Sequence, residues 1–164
     1  MEFINKIFEL DLGKFVPEMT DVLEKTRFLV KFSVLAGPIL LLVIGLMYLL
    51  FPPKEANHKL GFRTYFGMGS VEAWRFSQKL AGAVLGGLGL ILTIVMVLIV
   101  NGFRGMEMEP MIMLSGKCIL WEIGLAVISW LGINITVTVF FDRKGNRRRD
   151  KKKQKENKKE NEKE

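Results

Sequence analysis

The residues with reactive side chains are few and scattered in this 164-residue chain. The one histidine, His58, stands beside Asn57, and the one cysteine, Cys118, has no intrachain partner for a disulfide. Histidine suits acid-base work near neutral pH, but no Ser-His-Asp or Cys-His set assembles around His58 with everything on one side of a membrane. Neither a glycine-rich phosphate loop ending in Lys-Ser or Lys-Thr nor an HExxH zinc helix occurs. The expectation is a protein that is not an enzyme and carries no cofactor and no resident metal. Three other features stand out. Met106, Met108, Met111 and Met113 put four thioethers in eight residues, a set able to bind Cu(I) or to offer an adaptable apolar surface to a peptide. Glu122 is an acid at the start of an apolar run, where a buried charge is costly enough to suggest function, with Lys117 or Arg104 as its expected partners. Arg63 lies in a loop rich in glycine and aromatics; its five donors can tie a turn to a carboxylate, a phosphate or backbone carbonyls.

The elements that position these groups follow from where the charges are missing. Residues 32–51, 80–103 and 123–141 carry no charge, and each run matches the roughly 20 helical residues that cross a bilayer. The chain therefore reads as an all-α integral membrane protein with three transmembrane helices, spanning about residues 32–51, 80–103 and 119–141. Its 24 Lys and Arg divide as five before the first span, five between the first and second, two between the second and third, and twelve after the third. The positive-inside rule puts residues 52–79 and the C-terminus in the cytoplasm and the N-terminus outside.

Residues 1–31 form an extracytoplasmic segment. Phe3, Ile4, Ile7, Phe8 and Leu10 recur at helical spacing, as in an amphipathic helix lying on a membrane, and a second helix is expected to begin near Pro17. Residues 142–164 hold twelve basic and six acidic residues with no aliphatic or aromatic one, so they read as a disordered basic tail held by anionic lipid. With no interleaved aromatics to stack on bases, direct nucleic-acid binding is not expected. Gly82, Gly86, Gly89 and Thr93 share one face of the second span, and Ser129, Gly132 and Thr136 one face of the third. Such faces serve helix packing within the chain or a homo-oligomer seam. Asn101 and Asn134 are expected to hydrogen-bond between helices. Pro38 removes one backbone donor from the first span.

The segment between the first two spans is the most distinctive. Pro52 and Pro53 end the first helix, Ser70 can cap the next with Glu72 in its first turn, and Trp74, Gln78 and Gly82 then follow at four-residue steps on one face. Asn57, Gly61, Phe62, Arg63, Thr64, Trp74, Gln78 and Lys79 together resemble the motif of the SdpI family of bacterial membrane proteins, founded on an immunity protein against a secreted killing factor. The resemblance covers roughly residues 35–141. Tyr65 stands where a proline is common in that family, Gly67 where a serine is common, and Gln78 where asparagine is usual.

The resemblance implies a multi-pass protein of the bacterial cell membrane that protects its producer from a secreted antimicrobial peptide or toxin. It implies that the cytoplasmic loop motif binds a partner, with a transcription repressor held at the membrane as in the founding member. The outer loop, with its four methionines and Glu122, would then meet the toxin. The expected partners are the lipid bilayer, the toxin and the repressor. A small transport or channel component is the alternative, resting on Glu122, Asn101 and Asn134.

Overall fold

The computed structural model describes residues 12–53 and 61–149. The residues 1–11, which include the expected surface helix, lie outside the described residues, as do Asn57, His58 and the tail beyond residue 149. Three helices make up the fold: α1 (Leu12–Leu50), α2 (Val71–Asn101) and α3 (Met108–Phe140). A single 3-10 turn, Gly67–Gly69, precedes α2, and no strand occurs among the described residues. All three helices are long and apolar enough to cross a membrane, so the protein is an all-α, multi-pass membrane protein.

Two helix starts differ from the sequence expectation. α1 begins at Leu12 and runs without a break through both Pro17 and Pro38. A missing donor at Pro17 costs one bond in the opening turns, which is too little to start a new helix there. α3 begins at Met108, so the methionine segment is helix rather than loop, and Pro110 falls in the first turn, where backbone N–H groups have no helical acceptor. Lys117 stands ahead of the uncharged run, but it lies on an exposed face and leaves the helix intact. Charge marks where hydrocarbon ends, not where a helix does.

Packing is uneven. α1 and α2 pack far more closely on each other than α3 packs on either. The cause is the glycine face of α2. A side chain at Gly45 would run into the backbone of Gly86, one at Gly89 into that of Leu42, and one at Gly82 would come within 2.8 Å of Leu49. Two backbones thus lie in direct contact, as small residues permit in membranes. The glycine face therefore serves packing within the chain. By contrast, nothing lies within 4 Å of where a side chain would stand at Gly116, Gly124 or Gly132 of α3. Only 11% of the apolar window of α3 is buried within the chain.

The core falls into two clusters. At the end that carries the α1–α2 connection, here the cap end, Phe62, Ala73, Ala81, Leu85, Ile133, Val137 and Phe141 pack together. Toward the far end, Val34, Leu92, Met96 and Cys118 form a smaller cluster. Several polar side chains within the spans bond their own helix. Asn134 donates to the Trp130 carbonyl at 2.8 Å, Thr136 to that of Gly132 and Thr93 to that of Gly89. Asn134 is thus not an interhelical link, because the carbonyl four residues back is within reach at lower conformational cost. Asn101 ends α2 on an exposed face.

Candidate functional site

The cap is assembled on the first two turns of α2. Ser70 caps that helix, its Oγ accepting from the Ala73 N–H at 3.1 Å, and Glu72 occupies the first turn where the helix end is positive. This fixes the direction of Trp74 and Gln78, both fully buried one turn apart. The Trp74 indole N–H donates to the Pro53 carbonyl at 2.9 Å and so ties the chain leaving α1 to α2. Gln78 grips the returning chain by both backbone groups of one residue. Phe62 N–H donates to Gln78 Oε1, and Gln78 Nε2 donates to the Phe62 carbonyl, each at 2.8 Å. A carboxamide offers one acceptor and two donors in one plane, which matches a peptide N–H and C=O pair.

Gly61 makes this grip feasible. Its φ of +118° is a region that other residues rarely adopt. A side chain there would also stand 2.6 Å from the Trp74 ring and 3.2 Å from Gln78 Oε1. Beyond Phe62, Thr64 Oγ1 accepts from the Gly67 N–H at 2.9 Å, closing the turn that leads to the 3-10 segment. Ser77 donates to the Trp74 carbonyl at 2.8 Å beneath it.

Residues 141–149, directly after α3, complete the cap, so the disorder expected from Asp142 onward does not hold for residues 142–149. Phe141 and Arg147 form an antiparallel bridge around a turn in which Asp142 Oδ1 accepts from the N–H groups of Lys144 and Asn146. Gly145, at φ +73°, packs on Gly69 and Ser70, and its carbonyl accepts from Ser70 Oγ at 2.7 Å. Arg147 pairs with Glu72 at 2.7 Å and lies 5.9 Å above the Phe141 ring. Bulk composition pointed to disorder, but Asp142-Arg143-Lys144-Gly145 is a local turn signal, with Asp first and Gly fourth. Read by itself, that signal was the available clue to residues 141–149.

The structure therefore gathers Gly61, Phe62, Thr64, Trp74 and Gln78 around one hydrogen-bonded knot. Arg63 and Lys79 do not enter it; both are exposed, and the Arg63 side chain bonds no other described residue. Asn57 lies outside the described residues. Compared with known proteins, the chain matches no family model, no curated protein and no solved structure.

At the far end the candidate residues separate. Met111 is fully buried, whereas Met113 is 60% exposed on the opposite side of α3; Met106 precedes the helix and Met108 opens it. Four sulfurs so placed do not converge on one ion. Among the described residues, no three His, Cys, Asp or Glu side chains gather in a metal-binding group either. Glu122 is 5% exposed and faces α1, not the outer surface; a side chain at Gly37 would stand 2.6 Å from its Oε2. Its Oε1 has no hydrogen-bond partner among the described residues, and Lys117 and Arg104, the expected partners, are exposed and make no pair with it. Ser115, two turns before it, donates to the Met111 carbonyl at 2.7 Å.

Proposed function

We propose that this chain is an immunity protein of the bacterial cell membrane, resembling the SdpI family, which protects its producer from a secreted antimicrobial peptide or toxin. The observation that carries this reading is the convergence of Gly61, Phe62, Thr64, Trp74 and Gln78, the residues of the family-like motif, in one cap. Such a cap is a rigid mount rather than a reaction centre. Its buried polar groups are spent on each other and on backbone, while Arg63 and Tyr65, the latter 76% exposed, project from it. Projecting charged and aromatic residues on a fixed turn suit protein recognition. The partner there is a cytoplasmic transcription repressor, with the cap and C-terminus inside the cell and the N-terminus outside, as the distribution of basic residues favours. The toxin meets the other end, where α1 begins and where Met106, Met108 and Met113 lie.

The test is a protection assay. Sensitive cells expressing the chain or its Arg63→Ala variant are exposed to the peptide encoded beside its gene, while a dye follows membrane potential. Wild type is expected to hold the potential. If it fails although control cells die, immunity against that peptide is refuted. A tagged repressor should also move to the membrane with wild type and remain cytosolic with Arg63→Ala at equal membrane amounts.

One observation favours a second reading, transport. Glu122 is a carboxyl buried between helices with an unpartnered oxygen, a feature of ion-handling sites in membranes. Ion flux into proteoliposomes that is abolished by Glu122→Ala would support transport over immunity.

A further inference from the structure

We infer that the groove between the cap end of α1 and the first turns of α2 is a binding site for the headgroup phosphate of an anionic phospholipid. The groove encloses about 480 Å³ and is lined by Leu50, Phe51, Pro52, Pro53, Arg75 and Lys79. Its two halves differ in chemistry. Leu50 and Phe51 end the uncharged run of α1 and are 67% and 76% exposed, an apolar wall that water covers poorly. Arg75 and Lys79 stand four residues apart on α2, so their side chains leave the same face about 6 Å apart along the axis.

Three features select an anionic lipid. The first is depth: Lys79 is the last charge before the apolar run of α2, and Phe51 closes that of α1, so the groove straddles the boundary between hydrocarbon and headgroups. A soluble phosphate would use the cations but has no use for the apolar wall. The second is charge. Glu72, one turn before Arg75, is engaged by Arg147, and neither Arg75 nor Lys79 has an ion pair among the described residues. Arginine presents a planar fork to phosphate oxygens and lysine a mobile point charge. The third is rigidity. Pro52 and Pro53 restrict the backbone, and the Trp74 indole holds the Pro53 carbonyl at 2.9 Å, so the wall opposite the cations is set before a ligand arrives. Acyl chains leaving the phosphate would run down Leu50 and Phe51. This site adjoins the knot around Gln78, sharing its Trp74–Pro53 bond, but does not depend on the immunity reading.

The test uses the full chain in detergent micelles, with native mass spectrometry counting bound lipids during titration with phosphatidylglycerol or phosphatidylcholine. The first phosphatidylglycerol is expected to bind at least tenfold more tightly than phosphatidylcholine, and Arg75→Gln/Lys79→Gln is expected to cut that preference at least threefold, leaving only the diffuse attraction of the basic tail. The charge-keeping exchange Arg75→Lys/Lys79→Arg should retain most of it, and Arg143→Gln/Lys144→Gln, in the turn after α3, should leave it intact. Circular dichroism and thermal melts of each variant separate loss of binding from loss of fold. Equal binding of the two lipids by wild type overturns the proposal. So does a preference that is undiminished in a folded Arg75→Gln/Lys79→Gln variant, or one that disappears with Arg143→Gln/Lys144→Gln. Inorganic phosphate at tenfold excess should not displace the lipid; if it does, the groove is a site for soluble phosphate and the lipid assignment fails.

Discussion

Gln78 and Glu122 differ by one atom type at the side-chain tip, and both are buried on a transmembrane helix, yet they sit in opposite circumstances. Gln78 uses its acceptor and a donor on the backbone of Phe62. Glu122 lies against α1 with Oε1 unpartnered. The cap end around Gln78 is a closed set of hydrogen bonds among Pro53, Phe62, Thr64, Gly67, Ser70, Trp74 and Gly145. The far end has a small apolar cluster and one buried acid. Where buried polar groups are satisfied they hold a unique geometry; where one is left unpaired, stability has been given up, and a ligand or proton has something to act on. The cap is therefore the end whose buried polar groups are satisfied, and the far end the one that leaves a buried acid oxygen unsatisfied.

The largest expected effect lies in the seam that holds both ends on one frame. Gly45→Leu would force a side chain into the backbone of Gly86, which has no rotamer by which to yield. We expect a loss of more than about 3 kcal/mol in reversible unfolding from mixed micelles, or no folded protein at all. Gly132→Leu on α3, which meets nothing within 4 Å, is expected to change stability by less than about 0.5 kcal/mol in the same assay. Equal losses would mean that α1 and α2 do not touch as described.

The next effect tests the comparison itself. Gln78→Leu strands both backbone groups of Phe62 in a buried site, at about 1–3 kcal/mol each, so a destabilisation of about 3 kcal/mol is expected. Glu122→Leu removes a carboxyl that bonds nothing through Oε1, and stability should stay within about 1 kcal/mol of wild type or rise. Micelle unfolding of the two variants side by side decides the matter. If Glu122→Leu costs as much as Gln78→Leu, the acid has a structural partner and the contrast between the ends is wrong.

How much of this was legible in the sequence depends on the range over which the deciding interaction acts. Three apolar helices were legible, because absence of charge over about 20 residues is a local property. The Ser70 cap and the shared face of Trp74, Gln78 and Gly82 were legible for the same reason. What Gln78 holds was not, since Phe62 lies 16 residues away across a loop whose path depends on the positive φ of Gly61. Ser70 meets Gly145 across 75 residues, a contact that no periodicity encodes. The start of α3 was missed because Lys117 on an exposed face looks, in sequence, like the edge of a span. At Asn134 the general rule that polar groups link membrane helices lost to the nearer carbonyl of Trp130.

Two smaller effects sharpen the account of how the chain after α3 joins the cap. Ser70 both caps α2 and donates to Gly145, so Ser70→Ala should cost about 1 kcal/mol and also release the turn, seen as faster amide exchange at Gly145 and Asn146. Arg147 should show the reverse balance. Its pair with Glu72 is short, but both side chains are about half exposed, so Arg147→Ala is expected to cost less than about 1 kcal/mol. Salt separates the two contributions: the effect of Ser70→Ala should persist in high salt, because it is a neutral hydrogen-bond loss, whereas that of Arg147→Ala should shrink as ions screen the pair. Arg147 also lies over the Phe141 ring, an attraction that a lysine at that position would keep in part. Arg147→Lys should therefore fall between wild type and alanine. If Arg147→Ala proves as costly as Ser70→Ala at every salt concentration, the ion pair is buried by something else in the folded protein, and the cap is a larger body than its hydrogen bonds describe.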